Sequence, residues 1–342
     1  MGLTVLVTGG GGFVGSYTVP ALRAAGHDVR LLVRSPERAL GVLARRGIGP
    51  DDVELVVGDM VDAEAVGRAV DGCDATIHAA AAIGMTGHDG ASVLDVNTTG
   101  ARTVVGAALA AGHDPVVHVS SVAVFVPPTE PVIRPTSTLA SPRTDYGRSK
   151  VVTETELRAR QDAGDPITIV YPGGVIGADQ PHLDATLEGL VAARTQGWPR
   201  TRGGVNLVDV RDVADVLVAS LVPGTGPRRL LLGGHFLPWA ELGALIDAIT
   251  GVRAWRAPLP KPVLMGFAAT LDGIRRIRPL AYPLTRDAAE IMTTMVATDD
   301  SATLDALGLT LRPIRDSLVE TVRWLAEAGH LPAKSAGRLA PT

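Results

Sequence analysis

Tyr146-Gly147-Arg148-Ser149-Lys150 sets a phenol four residues ahead of an amine. In a helix, positions i and i+4 share a face, so the two side chains would project together. A phenol at its reference pKa of about 10 is a poor base at neutral pH. A neighbouring cation favours phenolate and brings that pKa nearer the range useful for proton transfer. Four tyrosines and three lysines (150, 261 and 334) in 342 residues make this spacing roughly a one-in-thirty accident. Two hydroxyls, Ser120 and Ser121, follow Val116-Val117-His118-Val119, an apolar run of strand length. The carboxyl ends of strands are where ligands bind in open α/β sheets. No GxSxG accompanies these serines, and none of the eight histidines forms an HxxH or HxxxH pair. Serine-hydrolase and metal chemistry therefore lack their usual residues, and no metal site is expected.

A phenol and an amine do chemistry only on something held beside them. Thr8-Gly9-Gly10-Gly11-Gly12-Phe13-Val14-Gly15 follows the apolar run 3–7 and opens a helical pattern over 13–25. A strand, a glycine-rich turn and a helix make the phosphate-binding half of a dinucleotide fold. Glycines let the backbone approach a pyrophosphate, and the helix N-terminus offers unpaired N–H groups and partial positive charge. No lysine follows a GxxxxG, so this is not a nucleoside-triphosphate loop. Further apolar runs near 28–33, 53–57, 74–78, 115–120 and 166–170 alternate with helical patterns near 36–46, 62–70, 92–111 and 146–162. This alternation predicts an α/β doubly wound parallel sheet, a Rossmann domain over 1–170. From 171 to 330 proline and glycine rise and helices dominate, near 183–196, 211–221, 239–250, 261–277, 285–296 and 313–328. A smaller, mostly helical substrate lobe is expected there, with returns to the sheet near 206–210 and 229–232 and a mobile tail over 331–342. The proline-rich stretch 125–143 is long for a loop, a sign of function or mobility.

The spacing TGxxGxxG, with YxxxK and the upstream serine, resembles the extended short-chain dehydrogenase/reductase superfamily. That branch, of NAD-dependent epimerase/dehydratase type, includes sugar-nucleotide epimerases and dehydratases, dihydroflavonol 4-reductases and 3β-hydroxysteroid dehydrogenases. The resemblance implies that Tyr146 exchanges a proton with the substrate oxygen, while Lys150 lowers its pKa and binds the nicotinamide ribose. It makes Ser121 the serine that hydrogen-bonds the substrate carbonyl, because 122–125 matches the family's four-residue run ending in an aromatic. Ser120 is then left to the cofactor or the core. Asn97, in an element similar to NxxG, would stabilise the site through the backbone of its helix. Asp59, beside Met60, would meet the adenine amino group, cap the helix near 62, or do both. Ala79-Ala80-Ala81 resembles the small-residue run beside the cofactor. Tyr171-Pro172-Gly173-Gly174-Val175 is similar to the turn whose backbone meets the nicotinamide carboxamide, with Val175 the candidate. In 206–214 Asp209 replaces the family's histidine, and Asp212 is expected to cap the next helix. The resemblance covers about 1–220.

Cofactor choice is read from the second strand. It ends in Val33-Arg34-Ser35, with no carboxylate between Asp28 and Glu37. An acid there receives the ribose hydroxyls of NAD, whereas an arginine accommodates the 2′-phosphate of NADP. NADP is therefore expected, with NAD as the alternative. The segments 79–85, 125–128 and 258–271 suggest an apolar pocket. They favour a reductase of a small or apolar carbonyl, or dehydrogenase of the matching alcohol, over a nucleotide-sugar epimerase or dehydratase. A sugar diphosphate would need convergent cations, for which Arg194, Arg200, Arg202, Arg253 and Arg286 are the candidates. A dinucleotide-binding regulator would not need a proton donor. Apolar 265–274 reads equally as a core helix, a lid or a dimer face. A net charge of −4 argues against nucleic acid as a partner. The single Cys73, the absence of a leader-like segment and the absence of an apolar run of about 18 residues predict a soluble cytoplasmic protein.

Overall fold

The structure, a computed structural model, describes residues 2–82, 92–142, 145–275, 277–278 and 284–341. Its first part runs β1 (Thr4–Thr8), α1 (Phe13–Ala24), β2 (Asp28–Val33), α2 (Pro36–Ala44), β3 (Glu54–Val57), α3 (Ala63–Val70), β4 (Ala75–His78), α4 (Val93–Ala110), β5 (Val116–Val119), β6 (Val132–Ile133), α5 (Asp145–Asp162) and β7 (Ile167–Pro172). Runs such as Val5-Leu6-Val7 and Ile167 to Val170 are buried on both faces, the pattern a parallel sheet covered by helices demands. The helices between them start where short polar side chains take up free N–H groups. Ser35 opens α2, Asp62 opens α3 and Ser92 opens α4.

The second part continues with β8 (Gly174–Ile176), α6 (Ala185–Gln196), β9 (Trp198–Arg200), β10 (Gly204–Asp209), α7 (Val210–Ala219), β11 (Arg228–Leu232), β12 (His235–Pro238), α8 (Trp239–Thr250), β13 (Arg256–Pro258), α9 (Lys261–Arg275), α10 (Arg286–Thr294), β14 (Ala297–Thr298), α11 (Ser301–Leu307), α12 (Ile314–Glu327) and α13 (Ala333–Ala336). Seven strands form one parallel sheet in the order β11-β7-β5-β4-β1-β2-β3. One face is covered by α1, α2 and α7, through Leu22, Leu43 and Leu217. The other is covered by α3, α4 and α5, through Val66, Val105 and Leu157. This is the doubly wound sheet that the sequence predicts.

Of the two expected returns to this sheet, β11 pairs with β7, but β10 does not join. Pro172 and Gly173 end β7, and β8 starts a separate sheet in which β10 lies between β8 and antiparallel β12. A third core gathers around fully buried Trp198 from α6, α8 and α12. Residues 331–341, expected as a mobile tail, instead form α13 and a following turn. Leu331 and Ala336 are buried, and Arg338 Nε donates to Ile249 O at 2.6 Å. The stretch 125–142 is also tied down. Its β6 pairs with β14, and Ala140 N donates to Val124 O at 2.7 Å. No helix among the described residues is long and apolar enough to cross a membrane.

Candidate active site

β1 lies between β2 and β4, so the chain turns one way after the first strands and the other way afterwards. Ligands of open α/β sheets bind at such a reversal, beyond the carboxyl ends of the strands. The glycine turn fills this place. Gly9 has φ +78°, and a Cβ on it would lie 2.7 Å from Ala80 N. On Gly15 a Cβ would lie 2.2 Å from Gly9 O. Any larger residue would force apart the ends of β1 and β4, and small Ala79, Ala80 and Ala81 keep the junction tight. Gly12 begins α1 with no side-chain cap, and no acid occupies the first turn, which contains Phe13 and Val14. That leaves helix N–H groups and a dipole uncompensated by the protein, which fits a pyrophosphate. Thr8 is no part of that supply. Its hydroxyl is 2.7 Å from His78 Nδ1 and accepts from Ala80 N at 3.3 Å, clamping β1 to β4.

Arg34 and Asp59 stand at the ends of adjacent β2 and β3, with Arg34 Nη1 3.8 Å from Asp59 Oδ2. Both keep solvent access, so both can meet a ligand at this edge. Ser35 Oγ is committed to the start of α2, accepting from Arg38 N at 3.4 Å. Asp59 does not cap α3. Asp62 does, accepting from Glu64 N and Ala65 N. Met60 lies against Gly100 of α4.

The phenol and the amine do come together on α5. Lys150 Nζ is 5.9 Å from the centre of the Tyr146 ring and donates to Val119 O at the end of β5, 3.1 Å away. Ser121 follows that strand, partly exposed, and accepts from Ala123 N at 3.2 Å, which leaves its own hydroxyl proton to give. Ser120 takes the core of its two options and donates to the buried Glu154 carboxylate at 2.9 Å. Asn97 joins three pieces. Its Oδ1 accepts from Ala82 N at 2.7 Å, and its Nδ2 donates to Ala82 O and to Ser149 Oγ, which in turn donates to Tyr146 O. An amide buried in a helix thus fixes the first turn of α5 against the loop after β4.

Electrostatics here depart from the expectation. Burial pushes the Tyr146 phenol up to about 12, and the Asp184 carboxylate adds to the rise. The Lys150 charge does not prevail. Burial also brings Lys150 down to about 8, against a smaller opposing pull from Glu154. His78 is held neutral, pushed down to about 3 by burial and by Lys150, and burial, Lys150 and His78 together hold His118 well below its ordinary value. Sequence reasoning missed Asp184 and Glu154. Asp184 opens α6, accepting from Thr186 N and Leu187 N, and nothing in its spacing ties it to Tyr146. Glu154 was within reach, because it extends the Tyr146–Lys150 step by one more turn.

Around this centre several expectations change. Pro172 ends β7, and Gly173 N donates to Leu232 O at 3.0 Å, so this corner is braced by β11. The Val175 side chain is buried in the sheet core, leaving only backbone to meet a ligand. Phe125 and Val126 point into the core and do not line a cleft. In 79–85, residues 83–85 lie outside the described residues. Within α9, Leu264, Ala268 and Leu271 pack with Leu284 and Ala289, while Val263 and Phe267 face outward. Arg194, a candidate for a diphosphate, is spent inside the protein on Asp247 Oδ1 at 2.9 Å and Ser335 O at 2.7 Å. Asp209, and not Asp212, caps α7, and Asp212 pairs with Arg312 instead.

The model of the NAD dependent epimerase/dehydratase family matches residues 5–233. "Sterol demethylase protein B" of Methylococcus capsulatus is 29% identical over 96% of this chain and 100% of its own length. A 4-hydroxy-2-methyl-3-oxo-4-farnesyl-3,4-dihydroquinoline-1-oxide ketoreductase of Stigmatella aurantiaca is 28% identical, covering 96% of this chain and 98% of that one. Among solved structures, UDP-glucose-4-epimerase from Stenotrophomonas maltophila with bound NAD superposes with a TM-score of 0.73. It is 21% identical over 96% of this chain and 99% of that one, a likeness of fold.

Proposed function

The chain belongs to the NAD dependent epimerase/dehydratase family and is an NAD(P)-binding oxidoreductase of extended short-chain dehydrogenase/reductase type, and within it we propose an NADPH-dependent reductase of apolar ketones or aldehydes. The observation that carries this is the Tyr146–Lys150 pair, held by Val119 O and by the Asn97–Ser149 bridge at the edge where the glycine turn opens. Bound NADPH supplies a hydride to the carbonyl carbon. Tyr146, protonated at neutral pH, gives its proton to the carbonyl oxygen as negative charge develops there. Ser121, already an acceptor from Ala123 N, turns its hydroxyl proton to the same oxygen. Lys150 keeps a positive charge beneath the phenol and contacts the nicotinamide ribose. Arg34 receives the 2′-phosphate, and Asp59 the adenine amine.

Two features support an uncharged substrate. The Asp184 carboxylate faces Tyr146 strongly enough to raise its pKa, which opposes an anion at the same place. Arg194, the one candidate cation buried in the second part, is already paired. The compound named for the Stigmatella relative is a 3-oxo compound that carries a farnesyl chain, a ketone with no diphosphate.

Absorbance at 340 nm, followed with a panel of apolar ketones and aldehydes, tests the reading. NADPH is expected to be consumed one for one with alcohol formed, and faster than NADH. Conversion of a UDP-sugar with no net change at 340 nm, and no carbonyl turnover, would overturn it.

A further inference from the structure

On α5 the residues 146, 150, 154 and 158 fall on one stripe, each four residues from the next. The first two are the proposed proton donor and its amine. The third, Glu154, has no solvent exposure at all. Its Oε1 accepts from Tyr171 OH at 2.5 Å and from Arg158 Nε at 2.7 Å, and its Oε2 accepts from Ser120 Oγ at 2.9 Å. Arg158 reaches on to Pro135 O at 3.3 Å and lies 5.6 Å over the Phe125 ring. One carboxylate therefore joins the helix of the phenol and amine, the strand end that presents Ser121, and the segment beyond it.

A buried ion pair by itself is weak support for stability, since well-packed apolar residues often serve as well. Glu154 differs from such a pair in what else it touches. Arg158 meets only Oε1, while Oε2 is given to the residue before Ser121. Lys150 sits one turn above, and among the described residues its side chain forms no ion pair and has a carbonyl as its partner. The groups around it from other elements bring no negative charge. His78 on β4 and His118 on β5 are neutral, and Tyr171 on β7 stays a phenol because burial and Glu154 both raise its pKa. Asp184 on α6 acts on Tyr146.

We infer that Glu154 is a positioning residue for the proposed reduction: it sets a carboxylate one turn below Lys150 on the same face of α5 and, through Ser120, fixes the strand end that precedes Ser121. It touches neither substrate nor cofactor. The inference rests on the proposed function for its chemical meaning, but its central consequence, the charge on Lys150, can be read without any turnover.

The chain has three lysines, so with 13C-labelled lysine the 13Cε shift of each can be followed against pH in the full-length protein. Lys150 is expected to titrate near 8 in the wild type. In Glu154→Gln it should titrate about one unit lower, a tenfold change in the protonation constant. The alkaline limb of kcat/KM for a reducible ketone should move by the same amount, with KM nearly constant. Glu154→Gln leaves Arg158 stranded, so the double variant Glu154→Gln/Arg158→Met, which removes the buried pair as a unit, is the control. If the lowered titration persists in the double variant, Glu154 is its source. A return to the wild-type value there, or no movement in folded Glu154→Gln, overturns the inference. A wild type that reduces no carbonyl would instead defeat the proposed function, while the lysine titration still decides the role of Glu154.

Discussion

The carboxyl edge of the seven-stranded sheet and the core around Trp198 both bury ionisable side chains, yet they complete them differently. Near Trp198, and where α7 meets the residues before α12, several charges meet an opposite one. Arg194 faces Asp247, Asp209 is held by Arg211 and Ser317, and Arg312 spans Asp212 and Asp215. At the sheet edge Lys150 has a carbonyl for a partner, the Tyr146 phenol is pushed upward, and two histidines are kept neutral. Charges of the first kind are used up in holding elements together. Those of the second kind are left displaced from their ordinary pKa, as groups that must exchange protons are. Burial alone does not separate the two, since Arg194 and Lys150 are comparably hidden. What separates them is whether the partner carries charge.

Tyr146→Phe should give the largest effect. It removes the one proton donor and should lower kcat for ketone reduction about a thousandfold, within the range a positioned acid supplies. NADPH binding, measured by fluorescence, should change little, because the ring and its packing remain. Parallel loss of binding would mean that Tyr146 belongs to the structural kind of buried group. Arg194→Ala should do the reverse. It leaves Asp247 with Arg256 and the Ala254 N–H as partners and should cost about 3 kcal/mol of stability, read by denaturant unfolding, with kcat in the surviving protein near wild type. If kcat collapsed with stability intact, Arg194 would be a substrate contact and the nucleotide-sugar reading would return.

A smaller effect is expected at the outer end of the cofactor edge. Arg34→Glu should raise KM for NADPH about a hundredfold, the worth of a charged hydrogen bond replaced by repulsion. NADH should be far less affected, since the neighbouring Asp59 is untouched. Equal losses with both coenzymes would remove the case for a phosphate contact at Arg34.

These contrasts mark how far the sequence could be read. Unbroken apolar runs such as Val116 to Val119, bounded by turn residues, put each strand of the main sheet within a few residues of its true ends. The helical patterns near 62–70 and 92–111 likewise begin within a residue of α3 and α4. β10 was misassigned because a short strand buried along nearly its whole length suits either sheet, and only the pairing with β8 and β12 reveals which one it joins. Tyr146 and Lys150 were legible from i, i+4 spacing, but the direction of the Tyr146 shift was not. It depends on burial and on Asp184, which lies far along the chain. Arg194 read as a cation available to a diphosphate, because its partners Asp247 and Ser335 lie 53 and 141 residues away.

The smallest expected effect concerns stability against acid, and it sets the two regions apart by pH. His78 titrates at about 3 in the folded chain and at its ordinary 6.5 when unfolded. Below 6.5 the unfolded state takes up a proton that the folded state refuses, so stability falls as pH drops from 6.5 toward 3. Asp209 has its folded pKa lowered, by hydrogen bonds from Arg211 and Ser317 that outweigh its burial. Its contribution is complete above the ordinary carboxylate value and is lost only as pH falls below it. Melting temperatures taken from pH 7 to pH 4.5 should therefore decline mainly through the sheet edge. His78→Asn retains a polar group for Thr8 and removes the titration, so it should flatten that decline. His118, also held neutral, would account for part of the slope that remains. A decline unchanged in His78→Asn would show that His78 is not its source and would remove this contrast in pH.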